Sequence, residues 1–177
     1  MIEVLEKLKK EYELPEEQII AIGNKIIANA VRNIRPVENP TAIIIGGQPG
    51  SGKSEIQGVE ELNFAKNIVI CNADNFRDVH PLATSLKKNY PQLYPELTVP
   101  FAHRWAQALQ HHCITNSFNY ILETTLRDGN AINNTIKTIK EAGFKTRLDA
   151  VAVNEKLSLL GIELRFEQML AEDDSGR

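Results

Sequence analysis

The feature that most constrains this chain is the segment Thr41–Ser54, which reads TAIIIGGQPGSGKS. The apolar run Ala42–Ile45 predicts a buried β-strand, and it leads directly into Gly47–Ser54, a complete GxxxxGK[ST] motif. In such a loop the backbone N–H groups turn inward toward phosphate oxygens, and glycine is needed where a Cβ would block their approach. The helix that follows adds the positive end of its dipole. We therefore predict a nucleotide-binding loop, rather than a glycine-rich turn that binds nothing.

The motif also predicts a role for each of its polar residues. Lys53 is expected to reach the β- and γ-phosphates of the nucleotide, and the Ser54 hydroxyl is expected to bind Mg²⁺. We call the segment Gly47–Ser54 the phosphate loop. Its predicted nucleotide-binding residues are Gly47, Gln48, Pro49, Gly50, Ser51, Gly52, Lys53 and Ser54.

Length, charge and cysteine content limit the class of protein. At 177 residues the chain is most simply one domain with a hydrophobic core. The formal net charge is −3 and no strongly basic block occurs, so nucleic acid is not the expected partner. Cys71 and Cys113 are too few for a disulfide framework. The histidines are not accompanied in the sequence by the set of cysteines or clustered acids that would complete a zinc site. The sequence shows neither a signal peptide nor a membrane-spanning run, and we expect a cytoplasmic protein without a membrane partner.

Beyond the phosphate loop, predicted strands and helices alternate. Strands are predicted at Asn67–Cys71, Tyr120–Glu123 and Leu148–Val153, with helices over about Asn130–Ala142 and Glu155–Ala171. This alternation predicts an α/β fold of the P-loop NTPase kinase type, a three-layer sandwich with a mainly parallel sheet. Four prolines predict a long loop before a helix that begins near residue 100: Pro81, Pro91, Pro95 and Pro100.

An N-terminal helical extension is predicted to precede this sandwich. A first amphipathic helix runs from Ile2 to about Leu14, and a second begins at Pro15 and carries apolar residues at three- and four-residue spacing to Ile34. The second reads as a packing helix, whereas the first either packs or covers the site. We expect residues 1–40 to form a helical segment packed on the core, and residues 41–177 to form the P-loop kinase domain.

Acids and arginines supply the remaining candidates for catalysis, since ligands of open α/β sheets bind at the carboxyl ends of the strands. Asp74 follows the second strand and is the candidate general base for transfer to a hydroxyl, although an Asx turn or helix cap explains it equally well. Glu123 ends the third strand, where it either holds Mg²⁺ or pairs with Arg127. The arginines Arg127, Arg165 and Arg177 are candidates to meet charge on a transferred phosphoryl group, although each alone reads as a surface residue.

Five segments in order resemble the zeta toxin family, the kinase half of bacterial epsilon/zeta toxin–antitoxin modules. They read PTAIIIGGQPGSGKS, NADNFRDVHP, VPFAHRWAQAL, ILETTLRDGNAINNT and RFEQMLAEDDSGR, and they span residues 40–177. The resemblance implies phosphorylation of UDP-N-acetylglucosamine on the 3′-hydroxyl of its amino sugar, with ATP and Mg²⁺ as cofactors. The product of that reaction blocks early peptidoglycan synthesis. Restraint by an antitoxin partner is implied, with self-restraint by the first helix as the alternative.

The resemblance also implies roles for single residues. Lys53 and Ser54 resemble the ATP-binding pair, and Asp74 resembles the catalytic base, which favours that role over a turn. Arg165 and Arg177 resemble the pair that flanks the triphosphate, so they join Lys53 as predicted catalytic residues. Thr125 and Thr135 look like the hydroxyl-bearing residues that bind the substrate. The full predicted substrate site is Gln107, Glu123, Thr125, Arg127 and Thr135.

The sequence departs from the family pattern in three places. Gln107 stands where relatives carry a substrate-contacting Glu, and an amide can hydrogen-bond a sugar or uracil but cannot act as a carboxylate. The segment between Arg165 and Arg177 is one residue shorter, and relatives continue past Arg177, so we expect a C-terminally short domain. Two other functions therefore stay open. One is transfer to another hydroxyl, of a dinucleotide, nucleoside or antibiotic, and the other is a nucleotide-binding regulatory module with little turnover.

Overall fold

The computed structural model describes residues 2–175, except for the side chains of residues 2–4, 165, 166 and 168–175. One element is a 3₁₀ helix, Ala73–Val79. The other elements, in chain order, are α1 (Ile2–Glu11), α2 (Glu16–Ala30), β1 (Thr41–Gly47), α3 (Lys53–Asn63), β2 (Val69–Cys71), α4 (Ala83–Asn89), α5 (Tyr94–Thr115), β3 (Tyr120–Thr124), α6 (Gly129–Glu141), β4 (Lys145–Val151) and α7 (Glu155–Ser175).

The sheet has the strand order β2-β3-β1-β4, and all neighbouring strands are parallel. Strand β1 lies inside the sheet, and its residues Ala42 to Ile45 are at most 1% exposed. A strand covered on both faces reads as a continuous apolar run, which is why the sequence identified it. Ala42 and Ile44 join the core on one face together with α2, α5 and α6, while Ile43 and Ile45 join the core beneath α3. The predicted three-layer α/β sandwich is confirmed.

Strand β4 begins at Lys145, three residues before the predicted start at Leu148. It is an edge strand that pairs only with β1 among the described strands, and most of its side chains are exposed. An exposed edge strand needs few apolar residues. The hydrophobic pattern therefore did not reveal the first three residues of β4, which pair with the start of β1. The Lys145 N–H donates to the Pro40 carbonyl at 2.9 Å, which extends the ladder to the start of β1.

The proline-rich segment between β2 and α5 is mainly helical, so the predicted long loop was wrong. It contains the 3₁₀ helix and α4, and α5 begins at Tyr94 rather than near residue 100. Pro95 lies in the first turn of α5, where the missing N–H has no helical partner to lose. Pro100 lies inside the helix, where the adjacent turn is held by the Thr98 hydroxyl, which donates to the Tyr94 carbonyl at 2.7 Å.

Both N-terminal helices pack on α5. In α2, Ile19 and Ile26 are buried in the main core, and the Trp105 Nε1–H of α5 donates to the Ile19 carbonyl at 2.9 Å. In α1, Leu8 is buried in a separate apolar cluster with residues of α4 and α5. These contacts support packing as the role of both helices. None of the described helices combines the length and the hydrophobicity that a membrane span requires.

Candidate active site

The phosphate loop has the backbone shape that its glycines were predicted to allow. Gly50 and Gly52 have φ angles of +70° and +86°, in the left-handed region that favours glycine. A Cβ on Gly47 would lie 2.4 Å from the Val151 carbonyl oxygen, so only glycine fits between the loop and the end of β4. The loop then passes into α3 at Lys53, which leaves the N-terminus of that helix beside the loop.

The side chain of Lys53 lies against the phosphate loop. Its Nζ donates to the carbonyls of Gly47 at 3.1 Å and Gln48 at 3.0 Å, and it lies 3.8 Å from Glu123 Oε1. The Ser51 hydroxyl is buried and has no hydrogen-bond partner within the described structure. An ammonium group, an unpaired buried hydroxyl and a helix N-terminus are suited to phosphate oxygens, so these residues fit a nucleotide.

Glu123 connects the phosphate loop to the segment that carries Asp74. Its Oε1 faces Lys53, and its Oε2 accepts a hydrogen bond from Asn72 Nδ2 at 2.6 Å. The Asn72 Oδ1 in turn accepts from the backbone N–H of Asp74 at 2.9 Å and caps the 3₁₀ helix. Lys53, Glu123, Asn72 and Asp74 therefore form one chain of contacts along the carboxyl edge of the sheet. The Asx cap predicted as an alternative for Asp74 belongs to Asn72.

The carboxylate of Asp74 is exposed but is held by a neighbour. Its side chain is 68% exposed, and Oδ1 lies 2.7 Å from a guanidinium nitrogen of Arg77. The Nε of Arg77 is buried and has no hydrogen-bond partner in the part of the chain described. Sequence reasoning missed both Arg77 and Asn72. The three-residue spacing of Asp74 and Arg77 is the signal that would have identified the pair, had the 3₁₀ helix been recognised.

The residues that would hold Mg²⁺ are Ser54 and Glu123. Ser54 is exposed in the first turn of α3, and Glu123 lies against Lys53 of the same turn. Magnesium usually takes only one or two protein ligands and completes its shell with phosphate oxygens and water. A two-residue site therefore suits this ion, even though the side chains that the structure describes include no cluster of three or more His, Cys, Asp or Glu suited to a metal.

A pocket of about 330 Å³ between α5 and α6 brings together two of the predicted substrate residues, Gln107 and Thr135. The Thr135 hydroxyl donates to the Ala131 carbonyl at 2.9 Å, so its oxygen can still accept a hydrogen bond from a ligand. Among the described residues, the pocket wall carries amides, hydroxyls, a histidine and two isoleucines, and no Asp, Glu, Lys or Arg. Its lining residues are Gln107, Gln110, His111, Ile114, Asn134, Thr135, Thr138 and Ile139.

Thr125 and Arg127 lie on the turn that follows β3, and both are exposed. Between them, Leu126 has a φ of +55°, which is uncommon for a residue other than glycine. Its side chain lies beside Gly46 of β1, where an added Cβ would be 2.0 Å from Leu126 Cγ. Strain of this kind concentrates at functional turns, and nothing in the local sequence indicated it.

Of the two remaining predicted arginines, the structure describes only the backbone of one. Arg165 belongs to α7, and its side chain lies outside the described residues. Arg177 lies entirely outside them. Their assignment to the site stays a prediction.

His80 follows the 3₁₀ helix and makes the stability of this segment depend on pH. It is 2% exposed, and its Nδ1 accepts a hydrogen bond from the Leu82 N–H at 3.2 Å. Burial lowers the pKa of His80, against a smaller opposite effect from the Tyr12 backbone. Between that lowered pKa and the ordinary value of about 6.5, the unfolded chain binds more protons than the folded one, so stability rises with pH in that window and is complete above it.

We expect His80→Asn to remove part of this pH dependence, because Asn keeps an acceptor for the Leu82 N–H but does not titrate. The measurement is the melting temperature of wild type and variant between pH 5 and 7.5. His103, which is exposed on α5, supplies the control. The assignment of this pH dependence to His80 is contradicted if His80→Asn leaves the slope of melting temperature against pH unchanged. It is also contradicted if His103→Asn reduces that slope by the same amount.

A phosphate loop after the first strand of a parallel sheet, with acids along the same edge, defines a P-loop kinase-type fold. The family model described as zeta toxin matches residues 25–177, so this chain belongs to the zeta toxin family.

Two curated proteins and one solved structure are similar to the chain. Toxin PezT of Streptococcus pneumoniae is 30% identical over 143 residues, which cover 81% of this chain and 56% of that protein. Toxin zeta of Streptococcus agalactiae is 30% identical over 149 residues, covering 84% and 52%. The chain thus spans about half the length of these curated relatives. A solved structure of the PezAT toxin–antitoxin system of Streptococcus pneumoniae aligns with a TM-score of 0.83 at 27% identity, over 89% of this chain and 65% of that one.

Proposed function

We propose that this protein is a kinase that transfers the γ-phosphate of ATP to the 3′-hydroxyl of UDP-N-acetylglucosamine, and so inhibits cell-wall synthesis. The observation that carries the proposal is the chain of contacts from Lys53 through Glu123 and Asn72 to Asp74. It joins a phosphate-binding ammonium to a candidate base along one edge of the sheet. Membership of the zeta toxin family supports the same reaction.

Each residue of the chain of contacts has a distinct task in this proposal. The phosphate loop and Lys53 bind the ATP phosphates, and Asp74 orients the acceptor hydroxyl and takes its proton. Asn72 fixes the backbone at Asp74, while Arg77 holds the carboxylate in place. Mg²⁺ at Ser54 and Glu123 would neutralise charge on the phosphates. Charge that develops on the transferred group is met by Lys53, Arg165 and Arg177.

The pocket between α5 and α6 is our proposed acceptor site, with Thr125 and Arg127, on the segment between β3 and α6, as further proposed contacts. A wall of amides and hydroxyls suits a ligand rich in hydroxyl and amide groups, such as an amino sugar or uracil. A phosphotransferase for another neutral hydroxyl is the second candidate, and Gln107 is the feature that favours it. We further propose that an antitoxin protein restrains the activity, because the solved structure that aligns with this chain belongs to the PezAT toxin–antitoxin system. The described apolar contacts of α1 are with α4 and α5, which favours packing over self-restraint as the role of that helix.

The acceptor is tested by incubating the protein with ATP, Mg²⁺ and a panel of UDP-sugars, nucleosides, dinucleotides and antibiotics. We expect mass spectrometry to find a gain of one phosphate on UDP-N-acetylglucosamine. Phosphorylation of a different acceptor would favour the second candidate. ATP binding, seen as a raised melting temperature, without any phosphorylated acceptor would leave a regulatory module as the function.

The role of Gln107 is tested in the same panel with Gln107→Glu. We expect the variant to lower the KM for the UDP-sugar roughly fivefold and to leave the KM for ATP unchanged, because a hydrogen bond to a charged group is worth about 1 kcal/mol more than a neutral one. Gln18→Glu adds the same charge on an exposed position of α2 and serves as the control. An equal effect of both variants, or a change confined to the KM for ATP, would remove Gln107 from the acceptor site.

A further inference from the structure

Helix α7 and the phosphate loop are fastened together by hydrogen bonds between residues more than one hundred positions apart. The Ser158 hydroxyl, on a side chain that is largely buried, donates to the Pro49 carbonyl at 2.7 Å. In the segment just before the helix, the Val153 carbonyl accepts from Gln48 Nε2 at 2.9 Å. Two successive residues of the phosphate loop therefore have partners in or just before α7.

The backbones of the loop and the helix also meet at a pair of glycines. A Cβ on Gly161 would lie 2.7 Å from the Gly50 carbonyl oxygen and 3.2 Å from its Cα. In the opposite direction, a Cβ on Gly50 would lie 2.4 Å from the Ser158 carbonyl oxygen. Real Cβ atoms essentially never approach backbone so closely, so a side chain at either position requires the helix or the loop to move.

Helical spacing relates this contact to the proposed catalytic arginine. Ser158, Gly161 and Arg165 are separated by three and four residues, so their Cα atoms share one face of α7. The first two contact the phosphate loop, which places the backbone of Arg165 one turn further along the same face. The distance from the loop to this turn is then set by how closely Gly161 approaches Gly50.

We propose that Ser158 and Gly161 are positioning residues, which dock α7 on the phosphate loop and thereby set Arg165 relative to the bound phosphates. The inference rests on the proposed kinase function. It predicts that damage at this contact acts on turnover, because a displacement of about 1 Å in a catalytic group can lower a rate by about 10²-fold. A contact with only a structural role would change the melting temperature and leave kcat unaltered in the folded protein.

The test compares Gly161→Ala with Gly58→Ala. Both add one methyl group to a helix, but a Cβ on Gly58 meets nothing within 4 Å. We expect Gly161→Ala to lower kcat roughly 10- to 100-fold with the acceptor KM unchanged, and Gly58→Ala to leave both within about twofold. Ser158→Ala, which removes one hydrogen bond and adds no atoms, is expected to lower kcat roughly fivefold. If Gly161→Ala does not fold, the kcat of Ser158→Ala tests the proposal by itself.

Combining these variants with Arg165→Ala separates positioning from general damage. If Gly161 acts through Arg165, Gly161→Ala adds little further loss in a chain that already lacks the guanidinium. The proposal would be overturned if the double variant lost kcat by the product of the two single-variant factors. It would also be overturned if Gly161→Ala and Ser158→Ala folded and kept the wild-type kcat.

A readout independent of turnover distinguishes failure of this inference from failure of the proposed function. We expect ATP with Mg²⁺ to slow amide hydrogen exchange over residues 155–164 in wild type, and to slow it less in Gly161→Ala. If wild type shows this protection but phosphorylates no acceptor, the kinase proposal fails and the docking stands. If ATP binds and is transferred while exchange over 155–164 is unchanged, the docking proposal fails alone.

Discussion

Asp74→Asn is expected to lower the rate of phosphate transfer by about 10²- to 10⁴-fold while changing the affinity for ATP by less than about twofold. The amide keeps the shape of the carboxylate but cannot accept the hydroxyl proton. ATP affinity should survive because the phosphates are assigned to the loop and Lys53, whereas the described contacts of Asp74 are with Asn72 and Arg77. The rate is measured with saturating ATP and acceptor, and the affinity by calorimetry with Mg²⁺ present.

Asp78 offers a matched control on the same 3₁₀ helix. Its carboxylate is also mostly exposed and also has a basic partner, Lys87 at 2.9 Å, together with the Tyr94 hydroxyl. We expect Asp78→Asn to change the rate by less than about threefold at temperatures where the protein is folded. Asp74→Asn with wild-type turnover, or an equal loss in Asp78→Asn, would remove Asp74 from the role of base.

The elements that the sequence predicted well are those specified by local patterns. Strand β1 and the phosphate loop combine an apolar run with a motif, and both signals lie within fourteen residues. The region from 73 to 99 failed because proline content was counted without its position. Pro95 lies where a helix start tolerates it, and the 3₁₀ helix owes its first turn to the Asn72 cap. A count of prolines cannot distinguish these cases from a loop.

The candidate site likewise combines residues that local sequence patterns predicted with contacts between distant residues that they did not. Lys53, Glu123 and Asp74 were predicted as site residues because each lies in the motif itself or at or just after the end of a predicted strand. The pairing of Glu123 with Lys53 and Asn72 is nonlocal, and the sequence offered only the nearby Arg127 as an alternative partner. The contact of Ser158 with the loop spans 109 residues, and no local pattern encodes it. Contacts of that kind follow from the packing of α7, which the sequence alone does not specify.

The second large effect is expected for Trp105→Ala, which should lower the free energy of unfolding by about 3–5 kcal/mol. The Trp105 side chain is 1% exposed in the main core, and its Nε1–H donates to the Ile19 carbonyl of α2 at 2.9 Å. Gly23 of α2 lies close to the indole, since a Cβ there would be 3.4 Å from Trp105 Cδ1, at the limit of ordinary van der Waals contact. Removal of the ring therefore leaves a cavity between α2 and α5 and deletes the hydrogen bond that joins them.

Trp105→Phe leaves a smaller cavity, because it keeps a six-membered aromatic ring and loses the pyrrole ring together with its N–H donor. We expect it to lower the free energy of unfolding by about 1–2 kcal/mol, as measured by urea denaturation. The zeta toxin family model begins at residue 25, inside α2, yet the Trp105 contacts reach Ile19 and Gly23 before that point. If the N-terminal segment belongs to the same folding unit as the kinase domain, wild type and both variants unfold in one transition with equal slopes. A second transition at low urea in Trp105→Ala would instead show that α1 and α2 unfold on their own.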